Sequence, residues 1–154
     1  MNAPIFRQPI MTSSWFHKLD PAKFQRIGVS RGVPRNTAAG FRKYPKLNPG
    51  GWFNSVTPDR YLKLYNAEIL APLNPTKVVE ELREMAGDKI PVLLCWEPAT
   101  PGDQWCHRGI VSAWLYDRLG LDVYEYGHEK EGFGWSHPKL HPTLRKASML
   151  EPNS

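Results

Sequence analysis

The sequence contains no long hydrophobic run and only two cysteines among its 154 residues. No apolar stretch approaches the roughly 18 residues of a membrane-spanning helix. The opening residues, MNAPIFRQPIMTSSWF, lack a basic region followed by a long apolar stretch. We therefore expect neither a membrane partner nor a secretion signal. Cys95 and Cys106 are too few for a disulfide scaffold, which favours a reducing, cytoplasmic setting.

The overall composition is that of a globular protein. Apolar residues make up 41% and charged residues 23%, which argues against both a disordered chain and a membrane protein. The 20 lysines and arginines exceed the 15 acidic residues and give a formal charge of +5. This excess favours an anionic small molecule or a nucleic acid as partner if the cations share a face, which net charge alone does not show.

The length predicts a single domain, because 154 residues are close to the most common domain size. We expect a flexible N-terminus over residues 1–9 and a single α/β domain over residues 10–127. An irregular C-terminal extension should follow over residues 128–154, with a mobile tail from residue 148. The sequence leaves the oligomeric state open.

Alternating strand and helix patterns predict the fold class. The strands are expected at residues 10–16, 26–30, 90–96 and 121–126. The third of these is a continuous apolar run, which is typical of a central parallel strand buried on both faces. With helices between the strands, the pattern predicts a small three-layer α/β domain with a short, mainly parallel sheet flanked by helices.

Three helices are predicted from their caps. Thr57 before Pro58 and Asn74 before Pro75 are N-cap signals, and each precedes apolar residues at helical spacing. The third helix begins near Cys106 and should end at Gly120. Residues 36–56 show no sustained period, which indicates an irregular functional loop or a lid.

Polar side chains cluster where ligands bind in open parallel sheets, beyond the carboxyl ends of the strands. One group follows the second strand, another follows the third, and the last begins the third helix. In chain order they are Ser30, Arg31, Arg35, Cys95, Glu97, Cys106, His107 and Arg108. We expect Ser30, Arg31, Arg35 and Arg108 to hold an anion, and the others to provide the chemistry.

Cys106 is the candidate nucleophile. A cysteine at a helix start beside His107 and Arg108 gains thiolate character from the helix dipole and the cations. Cys95 lies nearer the apolar strand, and free cysteines in such places are often inert core residues. Glu97 is either a general base or an ion-pair partner of an arginine, and His107 is either an acid–base group or a capping residue.

The sequence also permits a metal-binding interpretation. Cys95, Cys106 and His107 have the donor types that zinc prefers. However, the separation of the cysteines differs from that of zinc knuckles, and two adjacent residues at a helix start do not easily reach one ion. We therefore assign no metal or cofactor. His128, His137 and His141 lie in a turn-rich region, and we expect them to be solvated.

Residues 35–52 and Phe53 combine cations with aromatic rings. Such a segment can contact phosphates and stack bases, or it can be an ordered loop that covers the end of the sheet. The residues concerned are Arg35, Arg42, Lys43, Tyr44, Lys46, Trp52 and Phe53.

Two ordered elements resemble a known family. The sequence is similar to the bacterial family called domain of unknown function 488 in the run from Ser30 to Pro34, and in Leu93-Leu94-Cys95-Trp96-Glu97 followed by Cys106-His107-Arg108. The likeness covers roughly residues 10–126. It implies a three-layer α/β fold with a pocket around these cysteine, glutamate and Cys-His-Arg positions. The longer insertion over residues 98–104 departs from the family pattern.

The sequence thus supports several functions and leaves open whether the protein is an enzyme. The first hypothesis is a small enzyme that acts on an anionic, phosphorylated or nucleotide-like ligand through a Cys/His/Arg site. The alternatives are a nucleic-acid-binding module and a zinc-binding site that uses the two cysteines.

Overall fold

A five-stranded parallel sheet forms the centre of the protein. The computed structural model describes residues 9–98 and 105–146. The predicted mobile tail, nearly all of the predicted flexible N-terminus and most of the 98–104 insertion lie outside these residues. The strands are β1 (Met11–Ser14), β2 (Phe24–Gly28), β3 (Arg42–Lys43), β4 (Ile90–Cys95) and β5 (Tyr124–Glu125).

The strand order β3-β2-β4-β1-β5 places β4 in the middle, as its continuous apolar sequence predicts. All four pairings are parallel, and the α/β class is confirmed. The register aligns Ser14 and Gly28 with the carboxyl end of β4. β2 begins and ends two residues earlier than predicted, and two further strands differ more from expectation. β3 lies inside the segment predicted to be irregular, and β5 is only two residues long.

The three helices begin at the predicted caps. They are α1 (Pro58–Leu64), which continues as a π-helix (Tyr65–Leu70), α2 (Pro75–Ala86) and α3 (His107–Leu119). Thr57 accepts a hydrogen bond from the Arg60 amide, and Asn74 accepts one from the Lys77 amide. Gly120 ends α3 in the left-handed conformation, at φ 65°. Within the described part of the chain, no helix has both the length and the apolar character needed to cross a membrane.

Alternation along β4 divides the core into two clusters. Leu93 and Cys95 belong to the larger cluster, which contains apolar residues from all three helices. Val92 and Leu94 belong to a smaller cluster on the other face, where Trp15 and loop residues cover the sheet. Cys95 therefore faces the helical layer and the start of α3.

The segment that follows β5 packs over the first turn of α3. It contains short 3₁₀ helices at Glu129–Glu131, Gly134–Ser136 and Pro142–Leu144, and Leu140 within it is fully buried. The Cys106 amide donates to the Lys139 carbonyl oxygen at 2.9 Å. This C-terminal segment thus helps to fix the position of Cys106.

Candidate functional site

A cavity of about 530 Å³ lies at the carboxyl ends of the strands. Its lining brings together six of the eight residues singled out from the sequence: Ser30, Arg31, Cys95, Glu97, Cys106 and His107. Phe53, Tyr61 and Trp105 complete part of the wall, and sequence reasoning did not assign these rings to the site. The parallel topology explains why these residues lie close together, because their segments all leave the sheet or enter α3 at one edge.

Cys106 is the N-cap residue of α3, and its sulfur receives several donors. Its Sγ accepts from the Arg108 amide and from Arg108 Nη1, each at 3.5 Å. Burial alone would raise the pKa of the thiol. A hydrogen bond from Cys95 and the positive charge of Arg108, with a smaller contribution from His107, outweigh burial and lower the pKa well below the ordinary value. The side chain is therefore poised as a thiolate.

Cys95 ends β4 and keeps its proton. Burial is the main reason that its pKa lies well above the ordinary value, and the neighbouring Cys106 sulfur raises it further. The two sulfurs thus act as a pair in which the Cys95 thiol donates to the Cys106 thiolate. This arrangement gives Cys95 a partner in the site in addition to its place in the core.

His107 is held by a backbone carbonyl that fixes its tautomer. Its Nε2 lies 2.8 Å from the Val29 carbonyl oxygen. A carbonyl only accepts hydrogen bonds, so Nε2 carries the proton, and in the neutral ring Nδ1 keeps its lone pair. Nδ1 lies 3.9 Å from Cys106 Sγ and 3.7 Å from Cys95 Sγ.

The three donor atoms Cys95 Sγ, Cys106 Sγ and a His107 ring nitrogen all lie within 4.8 Å of one another. The expectation that adjacent Cys106 and His107 would not reach one point is therefore wrong. The reason is the extended backbone of the N-cap residue, at φ −160° and ψ 159°, which turns the Cys106 side chain back toward the first turn of α3.

Glu97 lies half-buried in the same cavity. Burial, followed by the negative charge of Cys106, raises the pKa of its carboxyl group to about 7, although Arg108 opposes the shift. A carboxyl group that titrates near neutral pH is suited to proton transfer. An ion pair between the Glu97 side chain and Arg108 is absent, because Arg108 Nη2 instead donates to the Glu97 backbone oxygen at 2.9 Å.

Arg108 is fully buried behind the cavity wall and is paired with an acid that sequence reasoning missed. Its Nε and Nη2 donate to Glu125 Oε1 and Oε2 at 3.0 Å and 2.8 Å. Both side chains have no exposed surface. The guanidinium therefore faces the Cys106 sulfur from the protein interior and does not line the cavity.

Thr12 and His137 extend this buried network. Thr12 Oγ1 donates to Glu125 Oε1 at 2.8 Å and lies 2.7 Å from His137 Nε2. His137 Nδ1 accepts from the Lys139 amide at 3.0 Å, so its proton is on Nε2. Burial, assisted by Arg108 and other cations, lowers the pKa of His137 well below 6.5. The prediction that His137 is solvated is wrong, since the side chain is fully buried.

The remaining predicted anion-binding residues differ in position. Ser30 Oγ accepts from Trp15 Nε1 and donates to the Gly32 carbonyl, so its hydroxyl is engaged within the fold. Arg31 is exposed at the cavity and lies 5.8 Å above the Phe53 ring. Arg35 is exposed in a separate depression of the surface. Arg31 is thus the arginine of the predicted set whose side chain lines the cavity.

Comparison of the chain with protein-family models, with curated proteins and with solved structures gave no match. The resemblance to the domain of unknown function 488 family therefore stays a prediction.

Proposed function

We propose that the protein is a small enzyme that binds an anionic, phosphorylated or nucleotide-like ligand in the cavity and attacks it with the Cys106 thiolate. The observation that carries this proposal is the position of the Cys106 sulfur. It caps α3 at the cavity wall, and the Arg108 amide and guanidinium both donate to it. Such a placement stabilises a thiolate without blocking it from the cavity.

The other cavity residues have complementary roles in this scheme. The Cys106 sulfur forms a bond to the electrophilic atom of the ligand, and the bond to the leaving group breaks. The Glu97 carboxyl group gives its proton to the leaving group and then, as a carboxylate, takes a proton from the water that releases the product. Arg31 provides positive charge at the cavity for the anionic part of the ligand. Two free thiols support a reducing, cytoplasmic location as part of the proposal.

Thiol labelling as a function of pH tests the nucleophile. Chelator-treated protein is reacted with iodoacetamide, and the wild type is compared with Cys106→Ser and Cys95→Ser. We expect one fast thiol with an apparent pKa well below 8.5, lost in Cys106→Ser and retained in Cys95→Ser. A Cys106 that reacts no faster than a thiol of the urea-unfolded chain would contradict the proposal.

Ligand binding is tested with inorganic phosphate and with nucleoside monophosphates. We expect them to slow the labelling of Cys106, because a ligand in the cavity covers the sulfur. Arg31→Ala should weaken this protection, and Arg35→Ala is the matched control, since Arg35 is an exposed arginine outside the cavity. Equal protection in both variants would contradict the role of Arg31.

A further inference from the structure

The cluster of Cys95, Cys106 and His107 has the geometry of a site for a thiophilic metal ion. In tetrahedral zinc sites, Zn–S bonds of about 2.3 Å and Zn–N bonds of about 2.0–2.1 Å place sulfur and nitrogen ligands roughly 3.5 Å apart. His107 Nδ1 lies 3.7 Å from Cys95 Sγ and 3.9 Å from Cys106 Sγ. The three donor atoms therefore need to move by no more than about one ångström to surround one ion.

The second observation is a hydrogen bond that holds the His107 ring through its other nitrogen. Metal-binding histidines almost always donate their other ring N–H to a carbonyl or carboxylate, which fixes the tautomer and aims the free nitrogen at the ion. His107 Nε2 makes this bond to the Val29 carbonyl at 2.8 Å. The lone pair of Nδ1 is thereby left for the ion, on the atom that lies within 4 Å of both sulfurs.

The donors stand on rigid elements, and one side of the cluster is open. Cys95 ends the central strand β4, and Cys106 and His107 begin α3. All three residues are buried, yet all three line the cavity. An ion bound here would have a fourth coordination position open toward the cavity. Water, Glu97 or a ligand could occupy that position, as in catalytic zinc sites. In the structure Cys95 Sγ is also 3.7 Å from His107 Nε2, so binding moves this sulfur toward Nδ1.

We infer that Cys95 Sγ, Cys106 Sγ and His107 Nδ1 form a Zn²⁺ site, and that zinc occupancy converts Cys106 from a nucleophile into a metal ligand. The Cys95 thiol releases its proton to solvent when its sulfur binds the ion, and Cys106 binds as the thiolate. The metal site rests on the geometry of the three donors alone. The change in Cys106 reactivity rests in addition on the proposed function.

The test uses the full chain after chelator treatment. Zn²⁺ affinity is measured by competition with a chromophoric chelator, and Co²⁺ is used as a spectroscopic probe, because cobalt thiolates show charge-transfer absorption. We expect one equivalent of metal and a tetrahedral cobalt spectrum with sulfur charge transfer. Removal of only the hydrogen-bond partner of a metal-binding histidine costs about 10–100-fold in metal affinity. Cys95→Ser and His107→Gln should therefore weaken binding by more than this, and His128→Gln is the control.

The iodoacetamide reaction of Cys106, repeated with Zn²⁺, separates this inference from the proposed function. We expect zinc to stop labelling in proportion to occupancy and a chelator to restore it. Fast labelling that zinc does not change, or a cobalt complex without sulfur charge transfer, would overturn the metal site and leave the proposed function standing. A zinc complex on a chain whose metal-free Cys106 is slow to react would overturn the proposed function and keep the metal site. The wild-type cobalt spectrum decides the question even if a variant fails to fold.

Discussion

The ion pair of Arg108 and Glu125 connects the candidate site to the protein interior. Both side chains are fully buried, and two hydrogen bonds of 3.0 Å and 2.8 Å join them. Desolvating two charges costs as much as their attraction returns, so the pair adds little net stability compared with apolar residues. Its contribution here is to hold a guanidinium beside the Cys106 sulfur.

Removing one partner of this pair leaves a buried charge without compensation. We expect Glu125→Gln to lower the free energy of unfolding by about 3–5 kcal/mol, the range for broken buried pairs. Urea denaturation followed by circular dichroism measures the change. Glu84→Gln, at an exposed position of α2, is the matched control and should stay within about 0.5 kcal/mol of wild type. A similarly small effect of Glu125→Gln would show that breaking the pair does not lower the free energy of unfolding.

His137 predicts a loss of stability in acid. The side chain stays neutral in the fold because its pKa is well below 6.5, whereas the unfolded chain binds a proton near that value. The unfolded state therefore holds more protons below about pH 6.5, and the free energy of unfolding falls as the pH drops. One proton corresponds to at most about 1.4 kcal/mol per pH unit.

Comparison of wild type with His137→Gln isolates this contribution. Glu97 acts in the opposite direction, because its raised pKa of about 7 makes the folded state bind the extra proton. Glu97 is present in both chains and cancels in the difference. We expect the variant to lose less stability than wild type between pH 6.5 and pH 5 in chelator-treated samples, as measured by urea denaturation. Parallel curves would mean that His137 has the same pKa in the folded and the unfolded chain, which would contradict the prediction.

The individual residues of the site were partly predictable. Chain topology predicts that four of them lie together, since they flank the end of one strand and the start of the next helix. These residues are Cys95, Glu97, Cys106 and His107. Thr12, Glu125 and His137 were missed, because their partnership depends on the packing of sequence-distant segments. Glu125, a charged residue inside the strand predicted over residues 121–126, was the available signal.

Among the elements, α3 depends on close contact with the segment that follows β5. An ideal Cβ on Gly109 would lie 2.5 Å from the Leu140 backbone nitrogen and 2.8 Å from its Cα. Backbone atoms cannot rotate away from such a contact as a flexible side chain could. Glycine at this position of the first turn therefore permits the approach that brings the Lys139 carbonyl to the Cys106 amide.

Gly109→Ala tests this approach. Alanine favours helices by about 1 kcal/mol over glycine, yet we expect a net loss of about 1–3 kcal/mol, the usual cost of overpacking. Iodoacetamide labelling of Cys106 should change as well, because the 139–140 backbone is displaced from the start of α3. Gly51→Ala provides the control, since nothing lies within 4 Å of its added Cβ. A stabilised Gly109→Ala protein would contradict the tight contact.

Most elements were predictable because their ends carry local signals. The Thr57-Pro58 and Asn74-Pro75 caps and the helix-ending Gly120 act through their own backbone and side chains. The strand β3 carried no such signal, because Arg42 and Lys43 are exposed charged residues that pair only at the sheet edge beside β2. The change of α1 into a π-helix after Leu64 was not anticipated either, and the sequence pattern does not distinguish it from a regular helix.

The whole molecule carries a formal charge of +5, which raises the question of nucleic-acid binding. The aromatic residues that suggested base stacking are largely used within the fold. Tyr44 is buried and its hydroxyl group donates to Glu81, while Trp52 Nε1 donates to Glu68 and its ring packs against Tyr61. Phe53 keeps 39% of its surface exposed. The segment therefore offers cations and one accessible ring.

This arrangement predicts weak, sequence-independent binding of single-stranded DNA that depends on phosphate contacts. Fluorescence anisotropy of a labelled oligonucleotide should show log K falling linearly with log salt, with a slope of about −0.7 for each phosphate neutralised. Stacking of a base on an aromatic side chain contributes about 1–3 kcal/mol. Because the Arg31 guanidinium lies 5.8 Å above the Phe53 ring, we expect Phe53→Ala to cost less than this, and Arg42→Ala should reduce the slope. If binding persists at high salt and Phe53→Ala abolishes it, the segment is a stacking platform, and the nucleic-acid function takes precedence over the enzyme.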